Sequence, residues 1–152
     1  MFPLYDDNPT QDTSIIVYSL IVVNVLIFGY QLSLLDFQLV EWIGKWALIP
    51  KGFMANPVRE AITLISSQFL HGNIFHLVGN MWFLYLFGNN IEDKLGHGKF
   101  LFFYLFCGAC SGLAQALTAP MSELPMLGAS GAISGVMGAY LVRFPRARIV
   151  TL

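Results

Sequence analysis

A run of 22 residues without a single charge, Ser14 to Leu35, most limits what this chain can become. At about 1.5 Å of rise per residue it makes a helix of roughly 33 Å, enough to cross a hydrocarbon core of about 30 Å. Inside lipid every backbone N–H and C=O must find its partner within the protein, so a run of this kind crosses as a helix. The rest of the chain agrees, with 56% hydrophobic residues, 11% charged residues and a mean hydropathy of +0.64. That composition lies far from soluble averages and implies an integral membrane protein one domain long. Nothing in it resembles a nucleic-acid footprint. Asp6, Asp7 and Asp12 crowd the amino end, whereas Arg143, Arg146 and Arg148 crowd the carboxyl end. The start, "MFPLYDDNPTQDT", lacks the positive segment and small-residue cleavage site of a signal peptide, so the first apolar run is expected to be retained.

The expected organisation is an all-α, polytopic transmembrane helix bundle. Residues 1–13 form a cytoplasmic tail and 14–35 the first span. Residues 36–60, with Trp42, Trp46, Pro50 and Pro57, read as an irregular interfacial loop whose tryptophans sit at headgroup depth. Residues 61–152 carry three more spans, near 69–88, 100–119 and 130–142, the first two joined by the charged connector "NNIEDKLGHGK". The amino tail, this connector and the carboxyl tail hold five Lys and Arg residues against three in the long loop, which favours both termini inside.

The fourth span is short. Gly131 to Val142 is 12 residues, roughly 18 Å of helix, and three arginines anchor its far end. Ser130, at its head, then lies on the order of 10 Å beneath the opposite surface. A hydroxyl at that depth needs protein or a water-filled cavity around it. Gly131, Gly135 and Gly138 recur along one face, with Gly108 and Gly112 offering a matching spacing on the third span, so close helix packing is one reading of the whole set.

The second span supplies another reading. His71, His76 and Asn80 occupy a stretch where polar side chains are costly and by default functional. His76 and Asn80, four apart, point the same way on a helix, while His71 falls about 140° from His76 by helical count, nearer the membrane entrance. A serine at one helix start and two adjacent donors on another helix suit acyl transfer, which needs a nucleophile and N–H groups aimed at the developing oxyanion. Interhelical hydrogen bonding alone remains an equal alternative at this point. A metal site is not expected: His71 and His76 diverge, and His97 belongs to the connector at the other face. Cys107 and Cys110, at C-x-x-C spacing within an apolar run, read as packing thiols. The soluble-hydrolase elbow also fails, since position 132 is alanine and no strand precedes the serine.

Several stretches taken together resemble the rhomboid intramembrane serine proteases, peptidase family S54. "GASGAISGVMGAY" resembles the family's G-x-S-G motif, and "FLHGNIFHLVGNMWFLYLFG" resembles its H-x-x-x-x-H-x-x-x-N helix. "IEDKLGHGKFLFFYL" is similar to its connector, and "WALIPKGF" to bacterial members. The resemblance covers roughly Ser14 to Ile149 and implies a six-helix core of which four spans are present. It implies Ser130 as nucleophile, with His76, Asn80 and the Ser130 backbone N–H as oxyanion donors. Gly128 would permit the turn, Gly131 would complete the motif, His71 would support the cavity, and Glu92 would be structural. The expected activity is a serine endopeptidase (a hydrolase) performing intramembrane proteolysis of transmembrane protein substrates within a lipid bilayer. No cofactor, metal or nucleic acid is expected. Two departures stand out. Arg59 follows Val58 where the family often has a Trp-Arg pair, and the family's histidine base, on its sixth helix, has no counterpart here. The expectation is therefore an amino-terminal portion of a protease, inactive alone; the alternative is a non-catalytic rhomboid-like protein that binds transmembrane helices. Short loops and no targeting segment lead to an expected bacterial cytoplasmic membrane.

Overall fold

The fold is seen in a computed structural model that describes residues 3–10 and 12–151. Met1, Phe2 and Gln11 of the expected tail, and Leu152, lie outside the described residues.

The uncharged run forms helix α1, Ile15–Ser33. Its buried residues, Val17, Leu20, Asn24, Phe28 and Gln31, recur every three or four positions and make one packed stripe. The remaining surface is apolar and open, with Leu26 67% and Leu32 72% exposed. This is the inside-out pattern of a lipid-facing helix: its two amide side chains, Asn24 and Gln31, are turned inward, while Ser19 and Ser33 bond their own helix's carbonyls on the exposed side.

Residues 36–60 are not the irregular loop that their prolines suggested. They form helices α2, Asp36–Trp46, α3, Pro50–Ala55, and α4, Pro57–Glu60. Both prolines occupy the first helical position, where a missing N–H costs nothing, so they start helices instead of preventing them. Asn56 caps α4 by accepting from the Arg59 N–H at 3.3 Å. A short α5, Thr63–Ser66, and a 3-10 turn, Ser67–Phe69, lead onward.

Helix α6 runs Ile74–Leu95 and α7 runs His97–Thr118, so most of the expected connector is itself helical. Gly96 alone separates them, at φ +79°, a conformation open to glycine and costly for other residues. Residues 89–95 prolong α6 because Asn90, Ile91 and Glu92 are themselves buried there, Asn90 bonding Asn8 and Glu92 the start of α1. Helix α8, Ser130–Arg143, is only 14 residues. It packs against α7 through its glycines: a Cβ on Gly131 would meet Ser111 Cβ at 2.6 Å, and one on Gly135 would meet Cys107 Sγ at 2.5 Å. Gly138 faces open space and Gly112 faces Leu48, so the interface uses only part of the expected glycine pattern. Leu84, Phe87, Phe100, Tyr104, Val136 and Tyr140 fill the core between α6, α7 and α8.

Two clamps close the ends of the bundle. At one end strand β1, Pro3–Asp6, pairs antiparallel with β2, Ile149–Thr151, a small addition to the expected all-helical architecture. Asn8 Nδ2 donates to Asn90 Oδ1 at 2.7 Å and the Asp12 N–H to Asp93 Oδ1 at 2.9 Å, so both tails and the α6–α7 junction lie together. At the other end Leu48 and Met126 exchange backbone hydrogen bonds of 3.2 and 2.8 Å. Lys51 bonds Glu123 there and holds its carboxyl below the usual range, first by the hydrogen bond and then by charge. Among the described residues, α1 and α7 are the helices long and apolar enough to cross a membrane by themselves.

Candidate functional site

Asn73 starts α6 by accepting from the His76 N–H at 2.9 Å, which sets the helix in register with its polar residues inward. Phe75, His76, Gly79, Asn80 and Phe83 of α6 then face Ser130, Ile133, Ser134 and Met137 of α8 across a cleft of about 310 Å³. His76 and Asn80 thus share one cleft with Ser130, which is distant from them in sequence. Ser130 opens α8, where the first backbone N–H groups have no intrahelical partner.

Gly128 explains how the chain turns into that position. Its φ is +119°, and a Cβ there would lie 2.6 Å from His76 Cε1 and 2.7 Å from Nε2. Its N–H donates to Ser67 O at 2.9 Å, which ties the turn to the 3-10 segment. Gly128→Ala is expected to lower the stability of the full-length protein by about 1–3 kcal/mol, from backbone strain and displacement of the imidazole. Thermal unfolding in detergent measures it; an unchanged midpoint would show that the ring yields freely.

His71 differs most from its expected place. It precedes the start of α6, so a helical angle does not apply to it, and the extended chain at Leu70 folds its ring back onto the site. It is 1% exposed rather than at an entrance, and its ring centroid lies 5.2 Å from that of His76, edge to face. Asn80 Nδ2 lies 3.0 Å from His71 Nε2. An amide nitrogen only donates, so Nε2 accepts and the ring proton resides on Nδ1. One Asn80 N–H is thereby engaged while the other is left over.

Two glutamines that sequence reasoning passed over hold this arrangement. Gln31 of α1 accepts from the His71 N–H and donates to His71 O, both at 3.1 Å. Gln68 Nε2 donates to Leu64 O at 2.8 Å and Leu105 O at 3.1 Å, and its side chain fills the space that Gly108 leaves open. Both are amides inside apolar stretches, the one signal that could have singled them out. A smaller space of about 60 Å³ is bordered by Gln68, Ser111, Gly128 and Ser130. His97 lies on α7 and bonds Glu92, away from the other two histidines.

The Rhomboid domain model matches residues 58–152. Rhomboid protein 1, mitochondrial, from Saccharomyces cerevisiae is 32% identical over 140 residues, which cover 89% of this chain and 38% of the yeast protein. Presenilin-associated rhomboid-like protein, mitochondrial, from Homo sapiens is 32% identical over 104 residues, 66% of this chain and 27% of the human protein. RHOMBOID-like protein 5 from Arabidopsis thaliana is 37% identical over 82 residues, 54% of this chain and 26% of the plant protein. The chain therefore spans less than two fifths of the length of each of these relatives. They also correct the expected location: two bear a mitochondrial name and all three are eukaryotic, so a bacterial cytoplasmic membrane is not upheld. Short loops misled because they reflect how little chain a helical bundle needs between spans, and carry no address. With the family model covering more than half of its length, the chain belongs to the rhomboid family of membrane proteins.

Proposed function

We propose that this chain carries the nucleophile and oxyanion site of an intramembrane serine endopeptidase acting on transmembrane protein substrates. Rhomboid family members are usually serine proteases, which supports a protease reading at the family level. The observation that carries it for these residues is the single cleft containing Ser130, His76 and Asn80, with Gly128 the one residue that lets the turn close on His76.

The Ser130 hydroxyl attacks the substrate carbonyl carbon and forms the new C–O bond. Negative charge then gathers on the carbonyl oxygen, within reach of the Ser130 N–H, the His76 ring and the free Asn80 N–H. His71 keeps Asn80 turned toward the cleft through the 3.0 Å bond. Collapse of the intermediate breaks the peptide C–N bond, and water later releases the acyl group. The serine proton passes through a general base to the leaving amine. The family resemblance assigns that base to a later helix, so the reading concerns the full-length protein. In this reading α6 and α8 are spans beside α1 and α7, which makes four. The membrane is mitochondrial, by analogy with the named yeast and human relatives.

A fluorophosphonate probe tests the reading, because it reacts with an activated serine and not with a packing hydroxyl. In the full-length protein in liposomes the adduct is expected on Ser130, with Ser134, whose hydroxyl donates to Ser130 O at 2.8 Å, left unmodified. Absence of any adduct, with substrate helices still bound, would favour a non-catalytic binder instead.

A further inference from the structure

We propose that the cleft between the end of α1 and helix α2 binds the headgroup of a zwitterionic phospholipid, with the phosphate at Lys45 and the ammonium at Glu41, Trp42 and Tyr30. This site is separate from the Ser130 cleft and independent of any proteolytic activity.

The cleft, about 460 Å³, is lined by Tyr30, Leu34, Gln38, Glu41, Trp42 and Lys45, with Trp46 at its edge. Gln38, Glu41, Trp42 and Lys45 follow the i, i+3, i+4, i+7 spacing, so they form one stripe of α2. Only Leu34 and Leu35 separate α2 from a helix able to span the membrane, which puts this stripe where the apolar span ends and headgroups begin.

The charges in the stripe are arranged for a ligand bearing both signs. Glu41 and Lys45 stand four apart in the order that favours a helical ion pair, yet among the described residues they form none. Lys45 instead rests its ammonium 5.1 Å from the Trp46 ring. Glu41 has no ion-pair partner among the described residues, and beside it Tyr30 and Trp42 meet edge to face at 5.6 Å. A carboxylate next to two aromatic rings suits an ammonium or quaternary ammonium group, and a lysine one turn along suits the phosphate attached to it. An anionic headgroup lacking the cation would leave Glu41 facing negative charge.

The surface below the cleft fits the remainder of the lipid. Val23, Leu26 and Tyr30 are 41%, 67% and 52% exposed and lie on one face of α1, an open apolar track leading from the cleft along the span. An acyl chain attached to the headgroup would follow that track.

Native mass spectrometry of the full-length protein, delipidated and exchanged into equal phosphatidylcholine and phosphatidylglycerol, tests the site. The two lipids differ in the headgroup cation and share the phosphate and chains. Phosphatidylcholine is expected to be retained about two- to fivefold over phosphatidylglycerol, the size of an exposed cation–aromatic contact. Glu41→Gln, a near-isosteric change at an exposed position, and Trp42→Leu should each bring the ratio toward one, and Lys45→Gln should lower retention of both lipids. Equal retention in the unaltered protein, or a preference for phosphatidylglycerol, would overturn the proposal. So would a phosphatidylcholine preference that survives both Glu41→Gln and Trp42→Leu.

Discussion

Ser130→Ala in the full-length protein is expected to leave no cleavage of a transmembrane substrate above background, whereas Asn80→Ala should lower kcat by about 10²–10³-fold. The difference follows from what each side chain supplies. On the proposed assignment, removing the nucleophile removes the covalent route altogether, while removing one oxyanion donor costs about 2.7–4 kcal/mol of transition-state stabilisation. Asn80 also bonds His71 at 3.0 Å, so its loss carries a structural cost of about 1 kcal/mol. Measuring kcat and thermal stability on the same samples separates the two contributions, because only a missing oxyanion donor lowers turnover in protein that remains folded. A drop in kcat smaller than about tenfold would confine Asn80 to the structural part.

Glu92→Ala should produce the largest loss of stability, about 2–6 kcal/mol. The Glu92 side chain is 1% exposed and accepts from the backbone N–H groups of Ile16 at 2.9 Å and Val17 at 2.8 Å, while also meeting His97 Nδ1. It thereby does for α1 what Ser14, which makes no side-chain cap bond, does not. A negative charge at this end of α1 is favoured by the helix dipole, and the two amides have no other partners if it is removed. Each buried donor left unmade costs about 1–3 kcal/mol, which sets the range. Unfolding in denaturant and detergent micelles measures it. Glu92→Gln keeps one acceptor oxygen and should lose about half as much; a Glu92→Ala protein within 1 kcal/mol of the parent would show that water replaces the carboxylate without penalty.

How much could be read beforehand depended on whether an interaction is local. His76 and Asn80 lie four apart on one helix, so their shared direction is a property of helical geometry, and they do line one cleft. His71 sits only five residues before His76, yet helical counting placed it wrongly because the chain is extended there and its backbone is held by Gln31 from another helix. Residues 36–60 misled for a related reason. Proline is read as a helix breaker unless its place within the helix is known, and at the first position it is a helix starter. The mitochondrial relatives were not foreseeable from periodicity or packing residues, since an organelle address is not a feature of bundle physics.

The amino-acid sequence by itself determined that the chain belongs in a bilayer and where its long apolar helices lie. It also set the rotational alignment of His76 with Asn80 and the small residues flanking Ser130. These follow from transfer free energy and helical repeat, which act over a few turns of one segment. Only the tertiary structure decided that Glu92 caps a helix 75 residues earlier, that Gln31 and Asn80 fix His71 from two sides, and that the Gly128 backbone lies against the His76 imidazole. Those outcomes depend on which buried donor meets which acceptor once the helices are packed. That pairing is chosen by the whole bundle, because within a membrane an unpaired polar group has no water to turn to.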